Sequence, residues 1–308
     1  MTEMDLYIAS RTNSYSSVGC SCKLFVFDLD NTLYDWVGYF VPAFYSMVDV
    51  AVEIMDCDRN ELLDNFREVH RHFHDSEHPF SLLETKIVKK KYTGLTRREI
   101  AEKLDPAFYA FNLQRKRGLQ LYPGAINVLS TLKDRGHKVV AHTESRLFAV
   151  VDRLRRLQID AFFEAIYCRE RPHSHHPNPD AAANFFKDFD LSKVRELSKH
   201  QRKPNRDVLL EICDRESVKP ACGVYIGDSI ARDMYMAKEA GLFAVWAKYG
   251  TIHQQGLYEA LVRISHWTDE DIEREVILKQ VSRNTKPDII LELGISELLE
   301  CDRIVSAL

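Results

Sequence analysis

The chain has 308 residues, of which 45% are hydrophobic and 29% charged, and a formal net charge of −4. That length supports two domains with real cores, and that composition is ordinary for a soluble globular protein. A slightly acidic chain has no electrostatic reason to bind nucleic acid or an anionic membrane, and no apolar stretch approaches the roughly 18 residues of a membrane span. Residues 1–22 mix Ser, Asn, Arg, Asp and Glu around no apolar core, so they read as a polar tail and not a signal peptide. The seven cysteines, at 20, 22, 57, 168, 213, 222 and 301, form no C-x-x-C pair, which favours a reduced, cytoplasmic setting. Cys20 and Cys22 have no partner cluster and are taken as incidental.

The first predicted strand, Leu24–Phe27, ends in Asp28-Leu29-Asp30-Asn31-Thr32. Side chains alternate along a strand, so Asp28 and Asp30 are expected to leave it on one side. Two like charges crowded at the end of a buried strand are costly, and a divalent cation or a catalytic proton relieves that cost. From 36 to 118 the pattern is helical, with capping-box spacings at Asp58/Glu61, Ser81/Glu84 and Thr96/Glu99 and no convincing strand. An all-helical module is therefore expected directly above the acidic pair. His70, His72, His74 and His78 read as its hydrated surface in preference to a zinc site, because positions two apart do not share a helix face. Lys89-Lys90-Lys91 and Arg97-Arg98 read as a solvated face.

Pro123-Gly124 opens a helix that stops at Gly136, and Lys138–Ala141 forms a second strand leading to His142-Thr143-Glu144-Ser145. A helix follows Ser145 through Leu157, then a weak third strand at 165–167. Residues 169–199, with the run RPHSHHPNP, read as a surface excursion. Lys203-Pro204 precedes a helix starting near Arg206. A fourth strand, Gly223–Ile226, ends at Gly227-Asp228-Ser229, with Gly227 expected to make a sharp turn. The following helix, with Asp233 in its first turn, runs from Ile230 to a left-handed cap at Gly241. Phe243–Trp246 is a fifth strand, 255–278 an amphipathic helical stretch expected to pack on the sheet, and 287–291 a sixth strand at an edge. Alternating strands and helices predict a parallel α/β sheet covered on both faces.

In such a sheet the functional crevice lies at the carboxyl ends of the strands. Asp28, Asp30, Asp228 and Asp233 converging there call for a hard cation with oxygen ligands, and Mg²⁺ fits. Asp233 alone serves equally well as a helix cap. Thr143 offers a hydroxyl, with backbone N–H groups just before a helix, which suits a phosphate oxygen. Lys203 places a cation at the rim.

With DLDNT at 28–32, a strand ending in Thr143, Lys203-Pro204 and GDSIARDM at 227–234, the chain resembles the haloacid dehalogenase superfamily, most of whose members are phosphatases. LYPGAINVLSTLKDRGHKVVAHT at 121–143 also resembles the family's approach to its second motif. The resemblance implies a Rossmann-like three-layer core from 23–35 and 119–308 and a helical cap at 36–118. It implies Asp28 as nucleophile and Asp30 as general acid and base. Mg²⁺ would sit between the Asp28 carboxylate, the Asp30 backbone carbonyl and Asp228, with Asp233 orienting its water shell or Lys203. Thr143 and Lys203 would hold the phosphoryl oxygens of a small soluble phosphate ester. Glu144 stands where a neutral residue is common and is expected to turn away or pair with a cation. The span from Thr143 to Lys203 is long, and Lys199 is the alternative. Two other readings are a haloacid dehalogenase, opposed by Asp30, and a non-catalytic module of the same fold, opposed by the intact acids.

Overall fold

The computed structural model describes residues 23–170, 177–178 and 184–301. The polar tail, Cys20, Cys22 and most of RPHSHHPNP lie outside the described residues. Seven strands form one parallel sheet: β1 (Leu24–Phe27), β2 (Lys138–Arg146), β3 (Ala165–Arg169), β4 (Val194–Leu197), β5 (Gly223–Gly227), β6 (Phe243–Ala247) and β7 (Ile289–Leu291), in the order β4-β3-β2-β1-β5-β6-β7. β1 lies at the centre, with Phe27 beside Ala141 of β2 and Ile226 of β5. β1 and β5 are buried along their full length, as expected for strands covered on both faces. Phe25, Phe27, Val139, Ile166 and Ile226 face one apolar layer, while Leu24, Val26, Val140, Tyr167 and Tyr225 face the other. The α/β three-layer expectation holds.

Between β1 and β2 the described chain is helical: α1 (Trp36–Met55), α2 (Arg59–Phe73), α3 (Ser81–Glu84), α4 (Lys86–Lys91), α5 (Arg97–Lys103) and α6 (Asp105–Gly118), then α7 (Ala125–Asp134) leading into β2; α8 (Leu147–Leu157), α9 (Arg206–Arg215) and α10 (Tyr235–Ala240) connect the later strands. Asp35 caps α1 by accepting from Gly38 N at 2.8 Å, and Asp58 caps α2 through Glu61 N at 2.8 Å. Thr96 and Glu99 form a full capping box on α5. The box expected at Ser81 is absent, because Phe80, in the left-handed region at φ 58°, precedes that helix without a side-chain cap. α1 is, against expectation, long and apolar enough to cross a membrane by length and composition alone. Its Val37, Phe40, Phe44, Val48 and Ala51 recur at helical spacing and are buried in the core.

Two expectations about the rest of the chain are corrected. The charged stretch before Lys199 contributes β4, an edge strand whose exposed Arg195 and Glu196 concealed it. Of the helices α11 (Leu257–Ile264) and α12 (Asp269–Val281), expected to pack on the sheet, α11 reaches across to the helical insertion, whereas α12 meets the segments after β4 and β5, with Glu275 accepting from Arg232 and Arg274 donating to Lys203 O, each at 2.8 Å. Tyr45 Oη donates to Ala260 O at 3.0 Å, His70 Nδ1 lies 2.6 Å from Ile264 O, and Ser76 Oγ lies 2.9 Å from His266 Nδ1. Their apolar residues cover the insertion and a cavity. Cys222 is disulfide-bonded, which departs from the reduced state expected of the cysteines.

Candidate active site

At the carboxyl end of β1 the ladder continues one residue further, with Asp28 N donating to Ile226 O at 2.8 Å. This directs the Asp28 carboxylate into a cavity of about 620 Å³, also lined by Asp30, Thr143, Lys203, Asp228 and Asp233. Asn31 adopts the left-handed conformation at φ 57°, and its Oδ1 accepts from Trp36 N and Val37 N at 3.1 and 3.4 Å. The Asn of the motif therefore turns the chain and starts α1. Gly250 sits against this loop: a Cβ there would fall 1.6 Å from Asn31 O.

Lys203 Nζ bridges Asp28 Oδ1 at 2.6 Å and Asp233 Oδ1 at 2.9 Å, and all three are almost fully buried. Burial opposes the ammonium, but Asp233 and then Asp28 outweigh it and raise the lysine pKa well above its ordinary value. Burial, together with Asp233, Asp228 and Asp30, raises that of Asp28, which Lys203 offsets. Asp233 also accepts from Ser229 N at 3.0 Å and Tyr225 Oη at 3.3 Å, so it positions Lys203 and holds the turn after β5. Gly227 gives clearance for this and does not make the sharp turn expected of it: a Cβ there would meet Asp233 Oδ2 at 2.5 Å. Burial and then Asp233 push Asp228 up to about 7.

Carboxylate oxygens of Asp28, Asp228 and Asp233 lie within 4.8 Å of one another. An all-oxygen, multiply anionic donor set of this kind suits a hard divalent cation such as Mg²⁺. The Asp30 side chain is not part of this set. Its Oδ2 accepts from Ser145 Oγ at 2.6 Å and its Oδ1 from Arg153 Nη1 at 2.6 Å. The two acids of the first motif thus face one cavity but are held by different cations.

Arg153, on α8 (Leu147–Leu157), is fully buried and was not anticipated from the sequence. Besides Asp30 it donates to Ser145 Oγ at 3.0 Å, to Tyr34 Oη at 3.4 Å and, through its other nitrogen, to Glu77 of the helical insertion. Its guanidinium carbon lies 5.8 Å from the ring centres of both Tyr34 and Tyr39. Burial opposes its charge, but Asp30 and Glu77 raise its pKa above even its ordinary value. Thr143 Oγ1 accepts from Ser145 N at 3.1 Å within β2, which runs on to Arg146 and carries an irregular register between His142 and Arg146. Glu144 pairs with Arg232 at 3.1 Å, with Arg202 at 3.6 Å. Lys199 lies in a short exposed turn, Lys199–Gln201, and does not line the cavity.

The histidines of the insertion divide. His72 and His74 are exposed, as a hydrated surface requires, but His70 and His78 are buried: His70 meets Ile264 O of α11, and His78 stacks on the Phe73 ring at 3.7 Å. Burial lowers both pKa values to about 4, and that of His266 likewise.

Residues 22–241 match the haloacid dehalogenase-like hydrolase family. Among curated proteins, a glyceraldehyde 3-phosphate phosphatase of Methanopyrus kandleri is 26% identical over 237 residues, covering 74% of this chain and 84% of its own. One from Pyrococcus furiosus is 23% identical over 233 residues, covering 74% and 81%. In fold, the chain is similar to a 2-haloacid dehalogenase of Pseudomonas syringae pv. tomato DC3000, with a TM-score of 0.53 at 18% identity over 91% of this chain and 97% of that one. It is also similar to a HAD phosphatase of Thermococcus onnurineus, with a TM-score of 0.50 at 18% identity over 90% and 96%. With the family match spanning most of the sheet and all four strand-end motifs, the chain belongs to the haloacid dehalogenase-like hydrolases.

Proposed function

We propose that this protein is a Mg²⁺-dependent phosphatase that hydrolyses small phosphate monoesters through an aspartyl-phosphate on Asp28. The observation that carries the reading is the buried Lys203 held 2.6 Å from Asp28, beside two further carboxylates. A lysine in that place lets an anionic phosphoryl group approach an anionic nucleophile. The phosphatase names of the curated relatives support the same reaction class.

Asp28 attacks phosphorus and the ester oxygen departs, protonated by Asp30; Asp30 then takes a proton from the water that cleaves the acyl phosphate. Both Asp30 oxygens are engaged by Ser145 and Arg153, so this shuttle requires Asp30 to exchange one of those partners. Thr143 and Lys203 hold the phosphoryl oxygens. Asp28, Asp228 and Asp233, with the Asp30 backbone carbonyl, would hold Mg²⁺, which supplies charge that keeps the carboxylates ionised and shields nucleophile from phosphate. The helices at 36–118 act as a cap that excludes bulk water and large substrates.

Phosphate release from p-nitrophenyl phosphate with Mg²⁺, lost on adding a chelator and in Asp28→Asn, is the expected result. No phosphate release with any divalent metal, together with halide release from 2-haloacids, would reverse the reading in favour of the dehalogenase.

A further inference from the structure

Apart from Lys203, the cavity is lined by six cations: Arg146, Arg169, Arg202, Arg232, Arg274 and Lys279. Two of them are occupied internally. Arg146 pairs with Asp75 at 3.1 Å, and Arg232 with Glu144 and Glu275 at 3.1 and 2.8 Å. Among the described residues Arg169 and Arg274 have no ion-pair partner, and Arg202 has only two long pairs. Arg169, at the end of β3, donates only to His74 O at 3.3 Å, and Arg274, on α12, only to Lys203 O at 2.8 Å. Neither has a carboxylate within salt-bridge distance among the described residues. Arg202 stands 3.6 Å from Glu144 and 3.5 Å from Asp271, beyond hydrogen-bond contact with either.

These three guanidinium groups come from three separate elements and line the same cavity as Lys203. Arg202 precedes it in the chain, and Arg274 is bonded to its backbone. Burial first, and then neighbouring cations, Arg146 beside Arg169 and Arg202 beside Arg274, depress the pKa of both Arg169 and Arg274, which Asp75 and Glu144 offset for Arg169 and Glu144 and Asp271 for Arg274. Guanidinium forks with free donors are shaped for carboxylate and phosphate.

We propose that Arg169, Arg202 and Arg274 form a second anion subsite, so that the preferred substrates are small phosphate monoesters bearing another negative group, a carboxylate or a second phosphate. The inference rests on the phosphatase reading and narrows it. Glyceraldehyde 3-phosphate, named for the curated relatives, has an uncharged remainder and would leave this subsite unfilled.

The test compares glycerol 3-phosphate, 3-phosphoglycerate and glycerol 1,3-bisphosphate as substrates of the full chain with Mg²⁺. One of the doubly anionic esters is expected to exceed glycerol 3-phosphate in kcat/KM by about tenfold or more, chiefly through KM; which one distinguishes carboxylate from phosphate. That ratio is expected to collapse in Arg274→Gln and Arg169→Gln and to survive in part in Arg274→Lys. Ratios near one in the parent protein, or an advantage that survives both glutamine variants, would overturn the subsite. The same ratio, read as Kd by calorimetry on Asp28→Asn, separates the two ideas. A binding preference in a protein whose parent turns over no ester sinks the phosphatase reading and keeps the subsite; turnover without preference does the reverse.

Discussion

Lys203 and Arg153 are both buried cations, each bridging two carboxylates at the edge of one cavity, but they join different parts of the chain. Lys203 ties Asp28, at the end of β1, to Asp233, in the helical turn after β5; both partners lie outside the insertion. Arg153 ties Asp30 of the same motif to Glu77 of the helical insertion. The contrast separates the two halves of the proposed reaction. The proposed nucleophile is held by neighbours outside the insertion, whereas the proposed acid and base is held by a group whose second contact depends on where the insertion sits. Any movement of the insertion would reach Asp30 through Glu77 and Arg153, whereas Asp28 has no such link through Lys203.

The largest effect should follow from Lys203→Met. Turnover of p-nitrophenyl phosphate should fall about a thousandfold, and urea titration should show a loss of about 3–5 kcal/mol as Asp28 and Asp233 lose their shared cation. A variant with near-normal turnover would remove Lys203 from the proposed site. Arg153→Lys keeps the charge but not the fork that spans Asp30 and Glu77, and should lower kcat about a hundredfold. If the two regions differ as described, hydrogen exchange in Arg153→Lys should rise in α2 and around Glu77, while β1 and β5 stay protected. In a double-mutant cycle, Arg153 should couple strongly to Glu77 and weakly to Asp233.

The interface of the insertion with α11 supplies a pH test. His70 binds its proton less readily when folded, near pH 4, than when unfolded, near 6.5. Between those values the unfolded chain holds more protons, so stability is full above pH 6.5 and falls as pH drops. From pH 7 to 5, His70 alone should cost about 2 kcal/mol by urea titration, with His78 and His266 acting in the same direction. The smallest effect is expected for Thr96→Ala. It removes the capping box of α5 at about 1 kcal/mol and, far from both cations, should leave kcat/KM unchanged. A large loss of activity there would show that the insertion cannot be separated from the site.

What could be read in the sequence follows this same division. Asp28 and Asp228 each follow a short apolar strand, and Thr143 follows the apolar part of β2, so a local pattern reveals both the element and its functional end. Lys203 was found through its place before a helix. Arg153 lies mid-helix among Arg155 and Arg156, where a basic residue reads as solvated, and its partners lie 123 and 76 residues away. Only tertiary packing reveals that it is buried. His70 failed for the same reason, since its partner carbonyl is 194 residues distant. β4 was obscured because an edge strand tolerates Arg195 and Glu196 facing water, and 255–278 because amphipathicity shows that a helix covers something without saying what.

The family match ends at residue 241, while α11 and α12, which overhang the cavity, run from 257 to 281. Bond-breaking machinery and the roof above it are therefore written in separate stretches of coding sequence. Arg274 and its neighbours are separate in sequence from the proposed nucleophile, though Arg274 is bonded to Lys203 O, so a graft of that stretch onto a relative is a direct way to ask whether substrate choice travels with it.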